Sequence, residues 1–70
     1  MVEKVVELIG TSSNSIEEAV ELAISRASVT LSSISEVEIT RTTALVEKGC
    51  VAGWRVRCNV TFEIENRVHE

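Results

Sequence analysis

Two cysteines, one histidine and a strip of alternating carboxylates, hydroxyls and guanidiniums are the residues of this chain equipped for chemistry. Cys50 and Cys58 have the donor type for a metal or a thiol–disulfide pair, but no CxxC spacing accompanies them. Eight residues of extended chain separate them by roughly 27 Å, so they cannot meet within one chain. They read as structural cysteines. His69 is the single histidine and stands in the charged stretch ENRVHE, without the ordered surroundings a general base needs. Asn59-Val60-Thr61 matches the glycosylation acceptor pattern, but it falls inside a strand pattern and chance explains it better. The sequence offers no nucleophile–base pair, glycine-rich phosphate loop or metal-ligand motif, so catalysis is the function it supports least.

The strip is more informative. Glu36, Glu38, Thr40 and Thr42 alternate along one segment, and Arg55, Arg57, Asn59 and Thr61 along another. A mixed-sign face of this kind is either a solvated or subunit-contacting surface laced with ion pairs, or a ligand or ion site built between subunits. Glu36 and Arg55 cannot touch in one chain, because about six strand residues, ~20 Å, separate them. A site that uses both has to be shared.

The elements that carry these residues follow from periodicity. VEKVVELI (residues 2–9) is rich in β-branched residues and stops at Gly10, a strand signal. Thr11 to Asn14 is a polar loop. Ser15 stands three residues before Glu18, the capping-box spacing, in which the hydroxyl accepts from the N3 amide and the carboxylate reaches back to the N-cap amide. Ile16, Ala19, Val20, Ala23, Ile24, Ala27 and Leu31 then keep the three-four spacing of one helical face. From residue 35 the period becomes two. Val37, Ile39, Thr43 and Leu45 fall on one side, with Glu36, Glu38, Thr40 and Thr42 on the other. Lys48-Gly49 predicts a tight hairpin turn. In the last strand Trp54, Val56, Cys58, Val60, Phe62 and Ile64 share a face.

Pairing Glu47 with Cys50 across the turn sets Ile39 beside Cys58, Val37 beside Val60, Glu38 beside Asn59, Thr40 beside Arg57 and Thr42 beside Arg55. Apolar meets apolar and polar meets polar. Arg41 opposite Val56 is the one misfit, assigned to the rim. The order strand, helix, strand, strand predicts a small α+β unit, a three-stranded antiparallel sheet wrapped on one helix.

Seventy residues make a single domain, residues 1–70. A core of that size supplies about 3–5 kcal/mol, so a staple is expected, and with two cysteines the natural one is self-association. A net charge of −4 argues against a nucleic-acid surface, and one Phe, one Trp and no Tyr leave no platform for stacking bases. No apolar run is long enough to span a bilayer and no leader pattern opens the chain, so a cytoplasmic protein without membrane contact is expected.

VELIGTS followed by Ser15 and an acidic pair, the alanine-spaced helix, VEI early in the second strand, a hairpin glycine and the final WRVRCNVTF resemble the dodecin family over almost the whole chain. The resemblance implies βαββ subunits assembled as a hollow homododecamer, with Thr11, Ser12, Ser13 and Ser15 at contacts between neighbours. It also implies a non-catalytic binding or storage protein holding flavin, FMN or riboflavin, between subunits. The family's flavin-stacking tryptophan falls at Glu36, the glutamine that bonds the ring edge at Arg55, and an arginine-glycine pair of FMN-binding members at Thr43 and Ala44. The pocket implied for this chain is Glu36, Glu38, Thr42, Thr43 and Arg55. Glu36 with Arg55 is similar to a branch of the family that lacks the tryptophan, of which at least one member is described as binding calcium. The alternative is therefore a dodecin without flavin, whose shared sites hold calcium through Glu36 and Glu38 or are closed by Glu36–Arg55 pairing.

Overall fold

The computed structural model describes residues 1–64, so His69 lies outside the described residues. Strand β1 (Val2–Ser12) leads into helix α1 (Ile16–Thr30), and β2 (Ile34–Glu47) and β3 (Cys50–Ile64) form a long hairpin. The sheet is antiparallel with order β1-β3-β2, so the last strand is central. Lys48 (φ 52°) and Gly49 (φ 78°) are both left-handed, the geometry of a two-residue hairpin turn whose twist matches the strands.

Helix α1 lies across β1 and β3. Its contact stripe is small: Ala19, Ala23 and Ala27 are buried, and Ile16 and Val20 pack half-buried against Val56, Cys58 and Val60 of the central strand. The alanines permit close approach. A Cβ at Gly10 would overlap the carbonyl oxygen of Ala19, so strand and helix touch backbone to backbone there. The apolar face predicted from the helical period is the face that packs.

The start of the helix differs from a full capping box. Ser15 Oγ accepts from the Glu18 amide at 3.0 Å, as the spacing predicts. The return bond is absent, because Glu18 Oε1 instead accepts from Ser12 Oγ and from Asn14 Nδ2, the latter at 2.7 Å. Ser12 Oγ takes over the N-cap amide, accepting from the Asn14 amide at 2.9 Å and the Ser15 amide at 3.3 Å. The buried Ser12 thus replaces one reciprocal bond with a network that ties the end of β1 to the first turn of α1. These two bonds hold the Glu18 carboxyl below its ordinary value.

The hairpin register agrees with the sequence reading from Glu36 to Ile39 and again beside the turn, while a further irregularity at the open end sets Ile34 opposite Phe62. Val37 faces Val60, Glu38 faces Asn59, Ile39 faces Cys58 and Glu47 faces Cys50. Between them it shifts by one. Thr40 is an extra residue, and Arg41 faces Arg57, Thr42 faces Val56 and Thr43 faces Arg55, until a second irregularity near Leu45 restores the count. Thr40 and Arg41 thus oppose the single Arg57, a β-bulge, and Thr40 Oγ1 donates to the Arg57 carbonyl at 3.1 Å. The bulge resets the pleat. Arg41 opposite Val56 is corrected to Arg41 opposite Arg57, and Thr42 beside Arg55 to Thr43 beside Arg55. The grouping of Thr43 and Leu45 with Val37 and Ile39 is likewise corrected: the first pair lies away from the helix and the second toward it.

Candidate functional site

Directly paired residues of a sheet share a face, so the ladder fixes what the side away from α1 presents. Reading from the Ile64 end of β3, its rows are Val5–Thr61–Glu36, then Glu7–Asn59–Glu38, then Ile9–Arg57–Arg41, then Thr11–Arg55–Thr43. Glu3 and Glu63 form a further row at the first end. Ile9, Arg41, Thr43, Arg55 and Arg57 line a shallow depression on this face. Arg57 Nη1 reaches Glu7 Oε2 at 3.2 Å, an ion pair between half-exposed side chains that lends the single chain little stability.

Of the five pocket residues expected from the sequence, Glu36, Glu38, Thr43 and Arg55 share this outer face, while Thr42 turns toward the helix side opposite Val56. Glu36 and Arg55 occupy rows six β3 residues apart, about 20 Å along the strand, so one chain does not bring them together. Glu36 and Glu38 do stand together, two residues apart on β2. Among the described residues no three His, Cys, Asp or Glu side chains gather in a metal-holding group within the chain. Both cysteines are free thiols: Cys50 is exposed at the hairpin, and burial pushes the Cys58 thiol up.

Sequence reasoning missed Arg41. The bulge carries it onto the outer face beside Arg57, and its misfit against Val56 was the signal that could have revealed it. Among the described residues the outer face also lacks any aromatic side chain. The chain's one Trp and one Phe, Trp54 and Phe62, both point to the helix side, Trp54 opposite Ala44 and Ser12 and Phe62 opposite Lys4 and Ile34. Of the contact residues expected in a loop, Thr11 and Ser12 instead end β1; Ser12 is committed inside its own chain and Ser15 caps the helix, which leaves Thr11 and Ser13 as the exposed members.

The chain is thus a four-element βαββ domain, with a helix on one face of a three-stranded antiparallel sheet and a polar face on the other. A sequence model of the Dodecin family matches residues 2–65, and the chain belongs to that family. Among solved structures, it is similar to the dodecin of Streptomyces coelicolor (35% identity, 94% of each chain covered, TM-score 0.88). It is also similar to the dodecin of Streptomyces davaonensis (28% identity, 93% of this chain and 96% of that one, TM-score 0.87). A third likeness is to a calcium-chelating antigen of Mycobacterium tuberculosis, described as a calcium dodecin with a calcium-binding site (26% identity, 100% of each chain, TM-score 0.81). Comparison with curated proteins finds no match.

Proposed function

We propose that this chain is a non-catalytic, cytoplasmic subunit of a hollow homododecamer that binds and stores a small ligand between subunits, with flavin, FMN or riboflavin, as the family-level ligand. The observation that carries the reading is the placement of Glu36 and Arg55 on one sheet face but about 20 Å apart, so a ligand touching both positions lies between two chains. Membership in the family and the likeness to dodecins of two Streptomyces species support flavin as the ligand class. With no ring on the outer face, flavin is held by its polar edges, among them Arg55 and Thr43. Each missing stack costs about 0.5–1.5 kcal/mol, so binding is weaker than in a pocket with stacking rings.

Titration of FMN and riboflavin against the purified assembly, followed by quenching of flavin fluorescence, tests this. Saturable quenching at micromolar protein is expected, and Glu36→Trp with Arg55→Gln tightens it at least tenfold. A double variant that stays blind to flavin overturns the pocket.

A second reading is favoured by Glu36 and Glu38 standing together on a face without aromatics, and by the likeness to the M. tuberculosis protein. Calcium takes six to eight oxygen ligands, so two carboxylates suffice only where symmetry brings further oxygens from other chains. Calcium then raises the melting temperature, and Glu36→Gln abolishes the rise. An unchanged melting temperature in calcium removes this reading.

A further inference from the structure

Three guanidiniums stand in two neighbouring rows of the sheet. Arg41 and Arg57 are directly opposite one another, and Arg55 follows beside Thr43. Like charges directly opposed on a sheet repel, so the arrangement costs stability unless something negative lies between them. The same face carries carboxylates on both sides of the patch. Glu7 and Glu38 occupy the row before it, Glu36 the row before that, and Glu47 lies two rows past it, opposite Cys50 beside the turn. Among the described residues only Glu7 reaches a guanidinium, that of Arg57. Arg41 and Arg55 are left uncompensated. Both are exposed, and with Ile9, Thr43 and Arg57 they line a depression of about 70 Å³, the size of a small ion rather than of a ring system.

We propose that this depression is a phosphate site built within one chain, in which Arg41, Arg55 and Arg57 hold a phosphate group, either the terminal phosphomonoester of a ligand or free phosphate. A phosphomonoester carries a charge of about −1.5 to −2 and three acceptor oxygens. That charge matches the two guanidiniums left over once Glu7 has taken its share of Arg57. Each guanidinium presents a planar fork of donors, and phosphate has oxygens enough to accept from several forks at once, where one carboxylate serves one. Arg41 is the deciding member. The bulge at Thr40 brings it onto this face, and without it the depression keeps only Arg55 and the already paired Arg57. A phosphate between Arg41 and Arg57 also turns their repulsion into a shared contact.

This inference deepens the ligand reading above and rests on it only for the source of the phosphate. Arg41→Gln tests the site, since Arg41 is exposed and makes no ion pair among the described residues. Without phosphate the variant is expected to melt no lower than the native chain, because the repulsion from Arg57 is gone; a marked drop gives Arg41 a structural role and overturns the proposal. At constant ionic strength, inorganic phosphate then raises the native melting temperature more than that of Arg41→Gln. The variant reports the stabilisation that phosphate gives any folded chain by exclusion from its surface. Equal shifts in the two chains overturn the proposal.

Flavin titrations separate the two sources. FMN quenched at least tenfold more tightly than riboflavin, with the advantage lost in Arg41→Gln, assigns the phosphate to the ligand. FMN and riboflavin binding alike, or neither binding, together with an Arg41-dependent shift in inorganic phosphate, assigns the site to free phosphate. In the last case the flavin reading fails while the phosphate site stands.

Discussion

At the scale of single residues, the molecule depends on a few places where no substitute fits. Gly10 meets the Ala19 carbonyl, and Gly10→Ala forces strand and helix apart. Overpacking of this kind costs about 1–3 kcal/mol, and a lower urea midpoint at unchanged slope is the expected result. Ser15→Ala removes the oxygen that accepts the Glu18 amide and costs about 1 kcal/mol. Glu18 gives stability a pH dependence. Its folded pKa lies below the ordinary value of about 4.5, so its contribution is complete above that value and is lost as pH falls through the lower, folded one. Acid titration of the melting temperature should therefore show a shallower decline in Glu18→Gln than in the native chain; identical acid profiles contradict the Ser12–Glu18–Asn14 network. The cap was legible in the sequence from Ser15 and Glu18. The role of Ser12 was not, because its bonds join residues whose approach is decided by how β1 meets α1.

At the scale of elements, the hairpin turn and the bulge position the outer face. Gly49 has φ 78° and open space where a Cβ would stand, so Gly49→Ala meets no clash and pays in backbone strain alone, about 1–2 kcal/mol. Chemical denaturation reads that loss; an unchanged midpoint means the turn adjusts to another type. The strands, the helix and the hairpin were legible because their periods differ and Gly49 marks the turn. The register was legible from Glu36 to Ile39, where apolar Val37 and Ile39 find Val60 and Cys58. The middle was not. A bulge inserts a residue without changing composition, and Thr40 is as acceptable in a regular strand as in a bulge. Only Arg41, which regular pairing sets against the buried Val56, records the conflict. That one residue decides which threonine stands beside Arg55 and how many guanidiniums the outer face carries.

At the scale of the whole molecule, the described chain is drawn out, 61 Å long and 13 Å across its thinnest dimension. Its fully buried side chains are small, Val56, Val60 and Cys58 the largest of them. Ile39, Val46 and Val51 remain exposed on the hairpin, and Ile39 joins Ile16 and Val20 in an apolar groove flanked by Glu17 and Glu21. A 70-residue chain with this much uncovered apolar surface gains its remaining stability from other copies, so its melting temperature rises with protein concentration. The family resemblance was legible from motif order, and the need for a staple from length alone. The proposed shared site was legible only as a negative, that Glu36 and Arg55 cannot meet in one chain, because a sequence does not hold the symmetry that would join them. That symmetry is the central claim, and native mass spectrometry tests it most directly. Twelve copies of the 7.7 kDa chain are expected in one particle. A monomer under conditions where the chain is folded would contradict the account, since neither a flavin nor a cation site can then be built from these residues.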